Sequence, residues 1–155
     1  MLFRLNVPWL AVALWLVVRA GGGAAGAEGV DSSSVARDAW FDCLVVDVHD
    51  GDTLSCVDGT RVRLHGIDAP ELDHPLGPIS RDWLSVRLTG VTLWCNQRGQ
   101  SYGRVVAICY DGDFDIAAAS VASAMSRDCP PFSGGLYASL ETLGNEAIPV
   151  AGFCR

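Results

Sequence analysis

The sequence predicts a mainly β domain with helices, an α+β fold built on a five-stranded barrel with two to three helices. Three observations lead there. Runs of β-branched and apolar residues of strand length recur with Asp-Gly turn signals at their ends. Three such runs precede the first helical stripe and two follow it. At 155 residues the chain has single-domain length and enough sequence for a real core.

The first 27 residues stand apart by composition. Met1-Leu2-Phe3-Arg4 is a short basic start, Val7 to Val18 is an apolar run, and Ala25-Gly26-Ala27 is a small-residue cleavage pattern. Residues 1–27 are expected to be a secretory signal peptide, since the apolar run is shorter than the ~20 residues that span a bilayer. The mature protein is then expected to be exported, periplasmic or secreted, with no membrane attachment. Residues 28–38 are rich in glycine, serine and acids and read as a flexible leader. Residues 39–126 are expected to form the barrel domain, and residues 127–155 a C-terminal extension packed on it.

Cys43-Leu44-Val45-Val46-Asp47-Val48 is apolar and β-branched, hence a strand. Asp50-Gly51 matches the two central positions of a tight hairpin turn, where positive φ is required. A second strand follows over Thr53 to Val57, and Asp58-Gly59 signals a second turn. The third strand, Arg61 to Ile67, puts Val62 and Leu64 on one face and Arg63 and His65 on the other. Ala69-Pro70 ends it, because proline removes a donor and restricts its predecessor.

Leu72 to Pro78 reads as a loop, and Ser80 to Leu88 as a helix with its stripe at Trp83, Leu84 and Leu88 and a stop at Gly90. Val91 to Cys95 is a fourth strand, Asn96 to Gly103 a loop, and Arg104 to Tyr110 a fifth strand closed by Asp111-Gly112. Asp115 to Met125 is a small-residue helix, apolar nearly all round and therefore buried. After Gly134-Gly135, Leu136 to Leu143 carries a short helical stripe. Five strands interrupted by a helix after the third fit a small, partly open barrel of the OB-fold type.

All six cysteines lie beyond residue 27, and an even number in an exported chain points to disulfides. A zinc site lacks any Cys-x₂₋₄-Cys pair. Of the possible pairings the sequential set is expected: Cys43–Cys56 and Cys95–Cys109 stapling hairpins, and Cys129–Cys154 tying the tail.

The chain has no lysine, and its formal charge is −7. Loss of Arg4 and Arg19 with the signal leaves nine arginines against eighteen acids, a mature charge of −9. Such a field repels polyanions at long range, which argues against a high-affinity nucleic-acid binder.

Taken singly, the polar residues of the meander have plain structural readings. Asp50-Gly51-Asp52-Thr53 makes a turn, Arg63 is a solvated strand side chain, Asp68 and Glu71 dress a loop, and Tyr102 is a core aromatic. Together they suggest more. Asp52 and Asp68 sit at strand ends of one meander, where two carboxylates can share a hard cation. Arginine is the residue suited to bidentate phosphate recognition. His49, His65 and His74 are dispersed without ligand spacing and are left outside the site.

Three segments, Val48-His49-Asp50-Gly51-Asp52-Thr53, Val62-Arg63-Leu64-His65-Gly66-Ile67-Asp68-Ala69-Pro70-Glu71 and Tyr102-Gly103-Arg104-Val105-Val106-Ala107, occur in this order with a helix between the second and third. In these the chain resembles the staphylococcal nuclease-like (thermonuclease) family, over roughly Phe41 to Met125. The resemblance implies an OB-type barrel with helices and an exported, calcium-dependent nuclease that hydrolyses phosphodiester bonds of DNA and RNA to 3′-phosphate ends. It implies that Asp52, Asp68 and the Ala69 carbonyl ligate Ca²⁺, that Glu71 positions or activates water, and that Arg63 and Arg104 hold the phosphate. Tyr102 matches a substrate-binding tyrosine near the terminal phosphate. The partner is then nucleic acid as substrate, single-stranded or flexible, and the protein is expected to be a monomer.

Two departures bear on substrate grip. Ser101 stands where the family often has a lysine, and the family's base-stacking tyrosine segment is replaced by Arg127-Asp128-Cys129-Pro130-Pro131-Phe132, leaving Phe132 and Tyr137 as substitutes. The alternative is a non-catalytic OB-fold module that binds single-stranded nucleic acid or a protein partner; a stapled exported scaffold ranks third. Retention of Asp52, Arg63, Asp68, Glu71 and Arg104 separates the enzyme from both.

Overall fold

The computed structural model describes residues 39–155, so the expected signal peptide and leader lie outside the described residues. Three strands form the predicted meander: β1 (Trp40–Val48), β2 (Thr53–Cys56) and β3 (Arg61–Leu64). A two-residue strand β4 (Ile67–Asp68) and the helix α1 (Gly77–Leu88) follow. Next come the long hairpin β5 (Thr92–Ser101) and β6 (Arg104–Asp111), and the short β7 (Phe114–Asp115). The helix α2 (Ile116–Ala122), the strand β8 (Arg127–Asp128) and the single-turn helix α3 (Pro130–Ser133) lead into the tail.

Strand β5 pairs antiparallel with β1 and with β6. The ring is completed by a parallel pairing of β3 with β6, Arg63 opposite Val106. The predicted α+β, OB-fold-type barrel is therefore present as a five-stranded mixed barrel, closed rather than partly open.

Alternation along the strands fills the interior. Val62, Leu64, Leu93, Cys95, Ala107 and Cys109 point inward and are buried, whereas Arg63 and Arg104 take the other side of their strands. A bulge between Val45 and Asp47 shifts β1 by one residue and returns Val48 to the interior. Leu84 and Leu88 of α1 and Ile116, Ala117 and Val121 of α2 join the same core cluster. Helix α2 begins where the Asp115 carboxylate accepts the Ala117 and Ala118 N–H groups, a side-chain cap.

Four elements differ from the sequence reading. The first hairpin has no two-residue turn: Val48 pairs with Leu54, His49 N–H donates to the Thr53 carbonyl (2.8 Å), and the loop between is wider. Asn96 to Ser101 is strand, because its backbone pairs with β6 while its outward side chains stay polar; Tyr102 and Gly103, at φ 50° and 76°, make the tight turn. The Leu136 to Leu143 stripe forms no α-helix, only 3-10 turns at Ala138–Leu140 and Leu143–Ala147. Helix α2 also stops at Ala122, short of Met125, and Ala124 has φ 55°.

All three sequential disulfides are present, Cys43–Cys56, Cys95–Cys109 and Cys129–Cys154, which fits an oxidising environment. Cys95 and Cys109 are directly opposed β5–β6 partners, both fully buried. Replacing both with alanine is expected to cost about 3 kcal/mol, the loop-entropy value for a loop of roughly 15 residues. Chemical denaturation of the oxidised proteins measures it.

The last residues are tied down. Strand β8 pairs with β4, and the Asn145 side chain donates to the Val121 and Ser126 carbonyls (2.9 and 2.8 Å). Tyr137 is 2% exposed and its hydroxyl donates to Asp115 (3.1 Å). It belongs to the core, so of the two aromatics considered for stacking only Phe132 remains available.

Candidate functional site

The first and second motifs meet because Gly51 carries no side chain. Its φ is not positive, so the turn geometry expected of Asp50-Gly51 is not why glycine stands there. A Cβ at Gly51 would run into the Ser80 hydroxyl and lie 2.6 Å from the Ala69 Cβ. The β1–β2 loop thus lies flush against α1 and the Asp68-Ala69-Pro70 bend. Within the loop the two aspartates do different work: Asp50 accepts the Asp52 N–H (3.0 Å) and shapes the turn, while Asp52 turns inward.

Asp52 is 5% exposed and its oxygens are fully engaged. One accepts the Thr53 hydroxyl (3.0 Å), the other the Ala69 N–H (3.2 Å) and an ion pair with Arg63. The other end of the Arg63 guanidinium lies 3.8 Å from Asp68. Arg104 donates to the Thr53 hydroxyl (3.2 Å) and to the Ser101 carbonyl (3.3 Å). Arg104, Thr53, Asp52, Arg63 and Asp68 therefore form one continuous polar chain across the β3–β6 closure. Thr53 was not singled out from the sequence, although its place beside Asp52 in the first motif was the available signal.

Six of the seven predicted site residues line one cleft of about 430 Å³: Asp52, Arg63, Ala69, Glu71, Tyr102 and Arg104. Asp68 is not among the lining residues; it is buried behind Arg63 and accepts the Ala151 N–H of the tail (3.3 Å), a contact 83 residues away in sequence. Glu71 is exposed, and its backbone is fixed by the loop to α1. Its carbonyl accepts the His74 N–H (2.9 Å), and its carbonyl carbon would lie 2.6 Å from a Cβ at Gly77. Tyr102 is 98% exposed at the tip of the β5–β6 hairpin, which rules out a core role. Its left-handed backbone is unusual for a bulky residue. The tail adds Cys129, Phe132 and Phe153 to the cleft.

Burial dominates the electrostatics. It pushes the Asp52 carboxyl up to about 7 despite the opposing Arg63 charge, with nearby Asp50 adding to the rise. Burial also raises Asp68, against the Ala151 N–H and Arg63. Among the described residues no cluster of three or more His, Cys, Asp or Glu side chains has metal-binding form. The oxygen groups in reach are two buried carboxylates, Asp52 and Asp68, which a cation would have to draw away from Arg63 and from backbone N–H donors, and the Ala69 backbone carbonyl. That all-oxygen set, with negative charge that burial disfavours, fits a hard divalent cation.

The raised Asp52 pKa has a sign that can be tested in metal-free protein. A carboxyl whose folded pKa lies above its unfolded value binds its proton more tightly when folded. Its stabilisation is complete below about pH 4 and is lost as pH rises through about 7. The melting temperature of the chelated protein is expected to decline over that window, and Asp52→Asn to flatten the decline. A wild-type profile that rises from pH 4 to 7 in parallel with the variant contradicts it.

The chain matches no protein-family model, and a search of the curated proteins returns no match.

Proposed function

We propose that the chain is an exported, calcium-dependent nuclease of the staphylococcal nuclease-like (thermonuclease) kind, hydrolysing phosphodiester bonds of DNA and RNA. The observation that carries this reading is the cleft that holds two guanidinium groups, an exposed glutamate and a buried aspartate within one wall of the barrel. Arg63 and Arg104 would bind the non-bridging oxygens of a phosphodiester and balance the charge that gathers there during attack. Glu71, exposed and fixed through its backbone, would take the proton from the attacking water. Breaking the bond to the 5′ oxygen leaves the phosphate on the 3′ side.

Asp52, Asp68 and the Ala69 carbonyl would hold Ca²⁺, which when bound supplies further positive charge at the phosphate. Thr53 links Arg104 to Asp52 and so couples the phosphate grip to the carboxylates. Tyr102, held out at the hairpin tip, would contact the terminal phosphate of the bound strand. The oxidising environment that the disulfides fit accords with export, and substrates are then nucleic acids outside the cytoplasm.

The test is degradation of single-stranded DNA by the oxidised mature chain in calcium and in chelator, with Glu71→Gln as control. Degradation is expected in calcium only, and a loss of at least 100-fold in the variant, by analogy with removal of one preorganised catalytic group. Degradation indifferent to chelator and to the substitution defeats the mechanism. Binding without degradation favours the non-catalytic module.

A further inference from the structure

Asp68 alone of the expected site residues does not line the cleft. It is 6% exposed, its Oδ1 lies 3.8 Å from the Arg63 guanidinium, and its Oδ2 accepts the Ala151 N–H (3.3 Å). A closed circuit of contacts delivers that N–H. Cys129 N–H donates to the Gly66 carbonyl (2.9 Å), two residues before Asp68, and the pairing of β8 with β4 sets Arg127 opposite Asp68. The Cys129–Cys154 disulfide carries the circuit to the tail, where Cys154 N–H donates to the Ala151 carbonyl (2.9 Å). The Ala151 N–H then returns it to Asp68. Glu141 braces β8, accepting two bonds from the Arg127 guanidinium (2.9 and 3.3 Å) and one from the Asp128 N–H (2.9 Å). A donor fixed at every joint in this way resists displacement, and the carboxylate it holds is harder to present to the cleft.

We propose that the tail is a restraint on cation binding: the Ala151 N–H competes with calcium for Asp68 and holds this carboxylate behind Arg63 until the strap lets go. This rests on the calcium-dependent nuclease reading of the same cleft. The Asp68 charge is buried and has to be met from within the protein. Among the described residues the Ala151 N–H and the Arg63 guanidinium meet it. A hard cation that gains this carboxylate takes the same charge from the same donors. Binding and release are therefore linked, and linkage is reciprocal: whatever loosens Ala151 tightens calcium, and calcium loosens Ala151 to the same degree. The sign separates a restraint from a structural tie. Loss of a supporting contact weakens metal binding, whereas loss of a competitor strengthens it.

The experiment removes that one donor from the oxidised mature chain. Ligation at Cys129 of a synthetic 129–155 segment carrying lactate in place of Ala151 swaps the N–H for an ester oxygen and keeps the side chain. Calcium affinity is measured by titration calorimetry. The ester is expected to bind calcium about 10-fold more tightly, the low end for a hydrogen bond to a charged group, in keeping with the 3.3 Å contact. In an Asp68→Asn background the ester is expected to change nothing. Ala151→Pro, compatible with the φ of −59°, is the encoded counterpart and should shift affinity the same way. In the unmodified protein, calcium should speed amide exchange at Ala151. Unchanged or weaker calcium binding by the ester overturns the restraint, as does a gain that persists without Asp68 or exchange at Ala151 indifferent to calcium. Absence of calcium binding by the unmodified protein overturns it as well. Failure of the nuclease reading alone shows as calcium binding without degradation of single-stranded DNA, and the ester then still decides the restraint.

Discussion

Arg104→Ala is expected to lower kcat on single-stranded DNA by about 100- to 1,000-fold, the cost of removing one preorganised group that stabilises transition-state charge. Its melting temperature should change little, because among the described residues the guanidinium's two hydrogen bonds go to the Thr53 hydroxyl and the Ser101 carbonyl. Arg63→Ala should lose as much rate but behave differently in stability. Arg63 is the counter-charge for Asp52 and lies 3.8 Å from Asp68, so its removal leaves two buried carboxylates unbalanced. Their pKa values should climb further, and the pH-dependent decline in the metal-free protein should steepen. Lysine is not expected to rescue either position, since an ammonium cannot reproduce the planar fork. Steady-state kinetics and melting curves of the four variants test this; wild-type turnover in either alanine variant ends the assignment.

Gly51→Ala is the second large effect, expected to cost about 3 kcal/mol, the upper part of the range for overpacking a filled site. The added methyl meets Ser80, whose hydroxyl donates to the Met125 carbonyl (2.7 Å), and Ala69, whose N–H steadies Asp52. Relief therefore has to come from moving α1 or the Asp68-Ala69-Pro70 bend. Calcium-induced stabilisation should shrink together with the melting temperature. Gly59→Ala is the matched control: a Cβ there meets nothing, and only its positive φ is strained. Denaturant midpoints for the two variants, with and without calcium, decide it, and equal costs at the two positions contradict the close-packing argument.

Much of the barrel was legible because its signals are local. Asp58-Gly59, the alternation through Val62 and Leu64, and the apolar run from Cys43 each report a period or a turn that neighbours alone determine. Asn96 to Ser101 misled because its residues are polar; strand character there comes from pairing with β6, which composition does not reveal. The Leu136 to Leu143 stripe misled in the opposite way. Tyr137 is drawn into the core by Asp115 and Asn145 holds the chain through backbone carbonyls, and these long-range ties override the helical period. Within the site, the residues expected from the three motifs were placed at one cleft, apart from Asp68 set behind Arg63. Ala151 and Phe153 were illegible because they reach it only through the folding of the tail.

The parallel weld of β3 to β6 has a temporal consequence. Arg63 and Arg104 come from strands that no hairpin connects, and they become neighbours only when that seam forms. Either hairpin alone carries one of the two arginines. A chain still being synthesised therefore holds no assembled site, however much local strand structure it has acquired. During refolding, hydrolytic competence should return in a single step with closure of the seam, and should lag behind early β-hairpin signals. On the nuclease reading proposed above, the site stays inactive until the ring is shut.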